Sequence, residues 1–342
     1  MPAPTRAAFL GLALVPLAAG LADCASKRFP PGVLRVGMVT DVGGLGDHSF
    51  NDSAYAGLLR AHRELGVATT VLESSSAADY QVNMTVLANK EFDVIFAIGF
   101  LMAEDVSEVA QRYVQRHFGI IDAVVDLPNV TSVTFKEEEG SFLAGALAAM
   151  VTKTKTIAFL GGVDLPLLRK FEAGYTAGAR EVDPTVKTLV KYVGSFDDVA
   201  SGKELAQVLY DEGADIIYCA AGKAGLGAID AAKQRPGAYI IGVDSDQDAL
   251  APGKILTSMV KRVDIGVFRV CEALVKHRPL PGHLVLGLAQ GGVGLTDFTY
   301  TRSVVTPPKI AELDKLRAAI IAGKIVVPST REGLASFTRV QL

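Results

Sequence analysis

The feature that most constrains the fold is a regular alternation of short apolar runs and helical patterns. In the first half of the chain the apolar runs lie at 33–39, 68–72, 93–98 and 118–121, and the helical patterns at 50–65, 78–89 and 101–116. A strand, a helix and a further strand in repeated succession form βαβ units. The alternation therefore predicts an α/β fold with a parallel sheet and helices on both faces.

A second series of the same kind follows a short strand at 131–135 and a helix at 138–150. Its strands are predicted at 156–160, 186–193, 215–219 and 239–243, and its helices at 167–181, 200–212 and 225–234. Two similar series indicate two Rossmann-like lobes, each with its own parallel sheet. Parallel sheets bind ligands at the carboxyl ends of their strands, so we expect a ligand in the cleft between the lobes.

The last third of the chain is expected to cross between the lobes and to form a multi-strand hinge. Its elements are predicted at 255–260 (strand), 263–277 (helix), 284–288 (strand) and 308–322 (helix), with a loop or edge strand within 289–306. We assign 33–135 and about 245–285 to the first lobe, and 136–244 and about 286–330 to the second.

The length and charge of the chain narrow its class. With 342 residues, 49% hydrophobic and 21% charged, it can form two domains of ordinary size. A net charge of −3 gives no reason to expect nucleic acid as a partner.

The N-terminus has the pattern of an export signal. Arg6 precedes an apolar stretch at 7–21 that is too short to span a bilayer comfortably, and the stretch ends at Leu21-Ala-Asp-Cys24. This ending resembles a bacterial lipobox, which predicts a signal peptide over 1–24, a lipidated Cys24 and a tether over 25–32. Asp23 stands where a small residue is usual, so cleavage after Ala22 without lipidation is the alternative. Either way we expect an exported protein, in the periplasm or on the cell surface, and lipidation would anchor it to the membrane.

The two other cysteines, Cys219 and Cys271, are expected to be small buried residues.

The richest loop joins the first strand to the first helix and reads TDVGGLGDHSFN over 40–51. Its glycines allow the backbone to approach a ligand closely. Asp41 and Asn51 supply hydrogen-bonding groups, and Phe50 supplies a flat apolar ring. The loop lacks the Lys or Arg expected of a phosphate-binding loop. The same composition also fits a simple turn and helix cap.

Side chains that follow other strands complete a candidate site. Phe50 and Phe196 belong to different lobes and could stack on the two faces of a planar heterocycle, although each ring could instead pack under its own loop. Asp41, Asn51 and Asp122 would face the polar edge of that heterocycle. Asp244 could accept the hydroxyls of a cis-diol, and Lys261 could donate to a sugar oxygen. Three carboxylates against one lysine favour an uncharged nucleoside over a nucleotide.

The run Asp244-Ser-Asp246-Gln-Asp248 also suggests a calcium loop, because alternate aspartates are calcium ligands in EF-hands. That pattern requires Gly next and Glu six residues further on, where this chain has Ala249 and Lys254. The five histidines show no zinc-ligand spacing. No metal or other cofactor is therefore predicted.

Four segments resemble one known family, and the resemblance extends over about 33–330. The segments are TDVGGLGDHSFN at 40–51, IGVDSDQ at 241–247, TSMVKRVD at 257–264 and AGKIVVP at 322–328. They are similar to the basic membrane protein family, whose members are lipoprotein substrate-binding components of ABC importers. The resemblance implies a periplasmic-binding-protein type I fold, a nucleoside ligand and a permease as partner.

Residue by residue, the resemblance implies two groups of contacts. The base-binding residues would be Asp41, Phe50, Asn51, Asp122 and the second stacking aromatic Phe196. The ribose-binding residues would be Gly222, Asp244 and Lys261, with Asp246 as an alternative to Asp244. We expect a protein that is not an enzyme and that delivers purine nucleosides (guanosine, inosine or adenosine) to a permease. The alternatives are a calcium-dependent nucleoside hydrolase, and a sensor or adhesin with the same fold.

Overall fold

A computed structural model describes residues 32–340 of the chain. The predicted signal peptide over 1–24, Cys24 and nearly all of the tether over 25–32 lie outside these residues. The strands are β1 (Arg35–Val39), β2 (Ala68–Leu72), β3 (Val94–Ile98), β4 (His117–Ile121), β5 (Val130–Phe135), β6 (Thr156–Gly161), β7 (Lys187–Tyr192), β8 (Ile216–Ala220), β9 (Tyr239–Asp244), β10 (Ile255–Lys261), β11 (His283–Leu286) and β12 (Val293–Leu295).

The helices alternate with these strands. They are α1 (Phe50–Leu65), α2 (Ala78–Asn89), α3 (Ala103–Arg112), α4 (Glu137–Val151), α5 (Pro166–Val182), α6 (Val199–Asp211), α7 (Gly225–Gln234), α8 (Val263–Val275), α9 (Pro307–Ile321) and α10 (Arg331–Ala335). Among the described residues no helix is both long enough and apolar enough to cross a bilayer.

The strands form two six-stranded sheets, which confirms the predicted α/β class. The first sheet has the order β11-β5-β4-β3-β1-β2, and the second has the order β12-β10-β9-β8-β6-β7. All pairs are parallel except β10 with β12. Central strands such as β3 are buried on both faces, as expected of parallel strands covered by helices. We call each sheet with its packed helices the first and the second lobe.

The sheet pairing corrects the predicted assignment of one late strand, β10. β10, which we placed in the first lobe, pairs with β9 and β12 of the second sheet. β11 pairs with β5 at the edge of the first sheet. Burial gives the reason, because β10 is apolar and almost wholly buried, as an interior strand must be, whereas β11 has the exposed residues of an edge strand. The segment 289–306 contains the edge strand β12, as predicted.

The chain crosses between the sheets after β5, after β10 and after β11. The crossing segments are tied to each other by backbone bonds, because the amide of Lys136 donates to the carbonyl of Leu286 (3.1 Å) and the amide of Arg262 donates to that of Gly292 (2.8 Å). Three connections of this kind match the expected multi-strand hinge. Cys219 and Cys271 are free and buried, as predicted.

Glycines allow α4 and α5 of the second lobe to pack at very short range. A Cβ on Gly145 would lie 1.8 Å from the carbonyl oxygen of Tyr175, and one on Gly178 would lie 1.9 Å from that of Phe142. Both neighbours are backbone atoms in a buried helix pair, so neither can move without shifting a helix.

We therefore expect Gly145→Ala to lower the free energy of unfolding by about 3 kcal/mol, the upper end of ordinary overpacking costs. Urea denaturation of the variant checks this value. Gly282→Ala serves as the control, because a Cβ there meets no atom within 4 Å and should change stability by less than about 0.5 kcal/mol. Equal losses in the two variants would contradict close helix packing as the cause.

Candidate ligand-binding site

A cavity lies where the carboxyl ends of the two sheets meet. Its empty volume is about 580 Å³ including the part open to solvent. Seven of the eight predicted site residues line it: Asp41, Phe50, Asn51, Asp122, Phe196, Gly222 and Lys261. The eighth, Asp244, is not among the lining residues, although Lys261 and Asp244 form an ion pair.

The first wall of the cavity is the loop before α1, and Asp47 organises it. The buried carboxylate of Asp47 accepts the backbone amides of Ser49 (2.9 Å), Asn51 (2.8 Å) and Asp52 (3.1 Å). These are amides of the first helical turn that have no partner within the helix, so Asp47 acts as its cap. Sequence analysis placed Asp47 in the loop without assigning it this role.

Asn51 presents one acceptor to the cavity. Its side-chain amide nitrogen donates to Asp41 Oδ1 (2.8 Å) and to Asp47 Oδ2 (3.2 Å). Its Oδ1 is buried and has no hydrogen-bond partner within residues 32–340. The sequence suggested that Asn51 could both donate and accept. In the structure both of its hydrogens are used, so only the acceptor is available.

Asp41 lies beside Asn51 and is held by the same loop. Its Oδ1 also accepts the backbone amide of Gly43 at 2.9 Å. Burial raises the pKa of Asp41 to about 6, against the effect of the hydrogen bonds from Asn51 and Gly43. The ionised carboxylate therefore costs folding free energy above pH 6.

Because of that cost, Asp41→Asn should raise the melting temperature at pH 7.5. The raised pKa means that the folded protein binds a proton more readily than the unfolded chain, so the gain should shrink as the pH falls below 6. The amide can still accept from Gly43, but ligand affinity should drop because a carboxylate acceptor is lost. Calorimetric melting at pH 5 and pH 7.5 checks this prediction, and a gain independent of pH would contradict it.

A buried ion pair joins the two lobes across the cavity. Lys261 at the end of β10 contacts Asp122 Oδ2 at 2.6 Å and Asp244 Oδ1 at 3.8 Å, and all three side chains are at least 92% buried. Burial alone would lower the pKa of Lys261, but the adjacent carboxylates outweigh it and raise that pKa. Burial raises the pKa of Asp244 to about 6 despite Lys261. The other oxygen of Asp122, Oδ1, has no hydrogen-bond partner in the described part of the chain.

The second oxygen of Asp244 contacts the first lobe. The Ser49 hydroxyl donates to Asp244 Oδ2 at 2.6 Å, and the Ser245 hydroxyl donates to the backbone carbonyl of Ser49 at 2.7 Å. Asp122 and Asp244 both have left-handed backbone conformations, with φ of 68° and 62°. Non-glycine residues in this region are found preferentially at functional sites. Both strand ends are thus shaped to direct carboxylates at Lys261.

Aromatic rings from both lobes surround the cavity. The ring of Phe50 has Lys261 Nζ 4.6 Å from its centroid, a cation–π contact. The ring of Phe196 lies 6.3 Å from that of Phe100 in an edge-to-face arrangement, and it rests on Gly162, where a Cβ would approach within 2.3 Å. Two rings that sequence analysis did not assign also line the cavity, Phe100 after β3 and Phe171 on α5.

Further lining residues that were not predicted as site residues include Leu101, Leu167, Leu168 and Lys223. The leucines belong to helical segments whose sequence pattern indicates only an amphipathic helix. Lys223 directly follows the predicted site residue Gly222 but was itself not assigned a role. Nothing in the sequence distinguishes these side chains from ordinary surface or core residues before the fold is known.

The aspartates of the 244–248 run have separate partners. Asp244 faces Lys261, Asp246 is exposed, and Asp248 accepts from the hydroxyls of Ser258 (2.6 Å) and Thr296 (2.7 Å). Across residues 32–340 no three His, Cys, Asp or Glu side chains group as metal ligands would. Asp244, rather than the alternative Asp246, is the residue that lies against Lys261.

Comparison with known proteins agrees with this architecture. The model of the Bmp family, ABC transporter substrate-binding protein PnrA-like, matches residues 34–331. The "ABC transporter nucleoside-binding protein BmpA" of Lactococcus lactis subsp. cremoris (strain MG1363) is 35% identical over 86% of this chain and 89% of its own length. Basic membrane protein A of Borreliella afzelii is 34% identical over 93% of this chain and 98% of its own.

The fold is also that of solved solute-binding proteins. An ABC transporter solute-binding protein from Aeropyrum pernix K1 superposes with a TM-score of 0.79 at 30% identity, covering 89% of this chain and 96% of its own. This confirms the periplasmic-binding-protein type I fold. Solute-binding proteins of ABC transporters are not enzymes, so the nucleoside hydrolase alternative is wrong. The chain belongs to the Bmp family and is a substrate-binding protein of an ABC transporter.

Proposed function

We propose that the protein captures an uncharged purine nucleoside in the cleft between its lobes and delivers it to an ABC permease. The observation that carries the proposal is a pair of buried acceptor oxygens, Asn51 Oδ1 and Asp122 Oδ1, that have no donor within residues 32–340. Both residues line a cavity that phenyl rings from both lobes also line. A buried acceptor without a partner costs free energy, and a ligand with N–H or O–H donors removes that cost.

Purine nucleosides carry such donors on both of their parts. Guanosine and inosine have a ring N–H and adenosine has an exocyclic amine, while the ribose has hydroxyls. We assign Asn51, Asp41 and Asp122 to the edge of the base, and Phe50 and Phe196 to its two faces. Gly222, Asp244 and Lys261 are assigned to the ribose. Asp244 does not line the cavity, and its carboxylate oxygens contact Ser49 and Lys261. To bind a sugar hydroxyl, the carboxylate must therefore give up part of one of these contacts.

The charges near the cavity argue against a phosphorylated ligand. Asp41, Asp47 and Asp122 line it and Asp244 is adjacent. The lysines that line it are Lys261, which is already paired, and the half-buried Lys223, so carboxylates outnumber lysines by four to two. A phosphate would place further negative charge among these carboxylates at a high desolvation cost. An uncharged ligand avoids this cost, and a micromolar affinity requires only about −8 kcal/mol. The printed name of the Lactococcus lactis relative, a nucleoside-binding protein, supports the same ligand class.

Isothermal calorimetry of the protein with a panel of ligands tests the proposal. We expect at least one of guanosine, inosine and adenosine to bind at micromolar concentration or tighter, with one site per chain. Guanosine 5′-monophosphate, free guanine and ribose should each bind at least about tenfold more weakly, a difference of about 1.4 kcal/mol. Tighter binding of the nucleotide or of ribose alone would overturn the assignment.

Two further parts of the proposal concern location and partner. A lipidated Cys24 would hold the protein on the outer face of a membrane, where the permease could receive the ligand. A sensor or adhesin with the same cleft would also bind nucleosides. Uptake of labelled guanosine by cells with and without the gene separates transport from these roles, and equal uptake would contradict delivery to a permease.

A further inference from the structure

A buried carboxyl group behind the cavity is not used by the proposed function. Glu137 is the first residue of α4, directly after the chain crosses from β5 into the second lobe, and it is fully buried. Its Oε2 accepts from Lys170 Nζ at 3.2 Å. Its Oε1 has no hydrogen-bond partner anywhere in residues 32–340.

Phe135 connects Glu137 with Lys261 of the ligand site. Lys170 Nζ also lies 3.4 Å from the backbone carbonyl oxygen of Phe135, while Lys261 Nζ lies 5.6 Å from the centroid of the Phe135 ring. Phe171 is next to Lys170 in the chain, and the centroid of its ring lies 5.5 Å from Lys261 Nζ. The negative charge of Glu137 acts on Lys261 together with those of Asp122 and Asp244. The buried Lys261 and the partly exposed Lys170 therefore share one cluster with three buried carboxyl groups.

The charges of this cluster do not balance. If Asp122, Asp244 and Glu137 were all ionised against Lys261 and the partly exposed Lys170, the net charge of the cluster would be −1. An uncompensated buried charge is costly, and a carboxyl group avoids the cost by taking up a proton. Asp122 has an ammonium at 2.6 Å, and Asp244 has both the Ser49 hydroxyl and Lys261. Glu137 has the partly exposed Lys170 ammonium at 3.2 Å, and one of its oxygens has no donor within residues 32–340, so we take it as the group most easily protonated.

We propose that Glu137 is a positioning residue of the ligand site, and that it holds a proton when ligand is bound and so leaves the Lys261 ammonium to Asp122 and to the ligand. This inference rests on the proposed nucleoside function. An uncharged nucleoside displaces water beside Lys261 and lowers the local polarity. Excess negative charge then costs more, so binding favours the protonated form of Glu137.

The electrostatics of the cluster support this assignment. Burial raises the pKa of Glu137 to about 7, with Lys261 and Lys170 lowering it and Asp122 raising it. Tyr218 on β8 also faces the group, and its own pKa is raised by burial, so it stays neutral. We expect Glu137 to bind its proton more tightly in the complex than in the free protein. The ligand affinity then falls as the pH rises through the pKa that Glu137 has in the free protein.

Calorimetry between pH 6 and pH 8 tests the proposal with a nucleoside that the wild type binds. The wild type should lose about tenfold in affinity over this interval, as one proton with a midpoint near pH 7 requires. Glu137→Gln, which is permanently neutral, should change by less than about twofold. Glu138→Gln is the matched control, because Glu138 also has a buried oxygen without a partner but has Lys170, Glu139 and Lys136 as its charged neighbours. That variant should keep the wild-type profile.

Lys170→Met gives an independent check if Glu137→Gln does not fold. Loss of its ammonium should move the pH midpoint of binding upward. Identical profiles for wild type and Glu137→Gln, or an unmoved midpoint in Lys170→Met, would overturn the proposal.

Infrared difference spectroscopy without ligand separates this inference from the proposed function. At pH 7, where Asp41 and Asp244 are largely ionised, the wild type should show the carbonyl-stretch band of a buried protonated carboxyl group, and Glu137→Gln should lack that band. If the protein binds no nucleoside, the proposed function fails, and the infrared result still decides whether Glu137 carries a proton. Absence of the band in the wild type would overturn the protonated state.

Discussion

Lys261→Met should abolish measurable nucleoside binding and should lower the free energy of unfolding by about 3–5 kcal/mol. The ammonium of Lys261 is the cation closest to Asp122 and Asp244, which are nearly fully buried. Its removal leaves two carboxylates from different lobes facing each other without a counter-ion. The cleft would then have to open, or the two carboxylates would have to take up protons. Calorimetric titration and urea denaturation at pH 7.5 measure both effects.

Lys203→Met is the matched control. Lys203 also forms an ion pair, with Asp230, but both side chains are more than one-third exposed. Exposed pairs contribute little, so we expect less than about 1 kcal/mol of destabilisation and an unchanged nucleoside affinity. Equal stability of Lys261→Met and Lys203→Met would contradict the conclusion that the buried ion pair of Lys261 and Asp122 holds the lobes together.

Phe50→Ala should weaken binding of guanosine or inosine by about 2 kcal/mol or more, roughly a 30-fold rise in Kd. The ring lines the cavity and has Lys261 near its face. The variant therefore loses the stacking surface for the base and also one aromatic contact of the ammonium. Phe50→Leu should recover only part of the affinity, because it restores apolar volume without a planar face.

The surface variant Tyr300→Ala controls for general effects of losing an aromatic ring, since Tyr300 is 47% exposed. It should bind as the wild type does. An unchanged titration for Phe50→Ala would count against stacking of the base on this ring.

Local pattern was sufficient to predict most of the secondary structure. The predicted helices at 50–65, 78–89 and 225–234 and the strand at 68–72 coincide with α1, α2, α7 and β2. These segments combine a clear hydrophobic period with glycine or polar breaks, as where Gly66 ends α1 in a left-handed conformation. The short α10 (Arg331–Ala335) was missed, because five residues give no helical period. Its position depends on Arg331, which binds Glu172 of α5 at 2.7 Å.

The pairing of the late strands could not be predicted from local pattern. β10 and β11 are both short apolar runs, and their sequences do not say which sheet each one joins. The choice depends on burial within the folded protein, where the interior position beside β9 suits β10 and the edge beside β5 suits β11. Long-range pairing of this kind is a property of the whole chain.

For the candidate site, the sequence was likewise sufficient to predict which residues meet, but not what each of them does. Strand-end positions indicated which residues meet at the cleft, and seven of the eight line one cavity. What each group can do there depends on its partners. The donors of Asn51 are taken by Asp41 and Asp47, and Asp244 contacts Ser49 and Lys261. Glu137 is connected with the site through Lys170 and Phe135, which lie in other elements of the fold. A sequence gives no access to such three-dimensional neighbours.

A crystal structure of the protein with guanosine or inosine tests the central claim most directly. We expect the purine ring to contact the phenyl rings of both Phe50 and Phe196 at about 4 Å. We also expect N–H or O–H groups of the nucleoside to donate hydrogen bonds to Asn51 Oδ1 and Asp122 Oδ1. A nucleoside bound outside the cleft, or a cleft in which the two phenyl rings pack away from the ligand while both oxygens stay without donors, would contradict it.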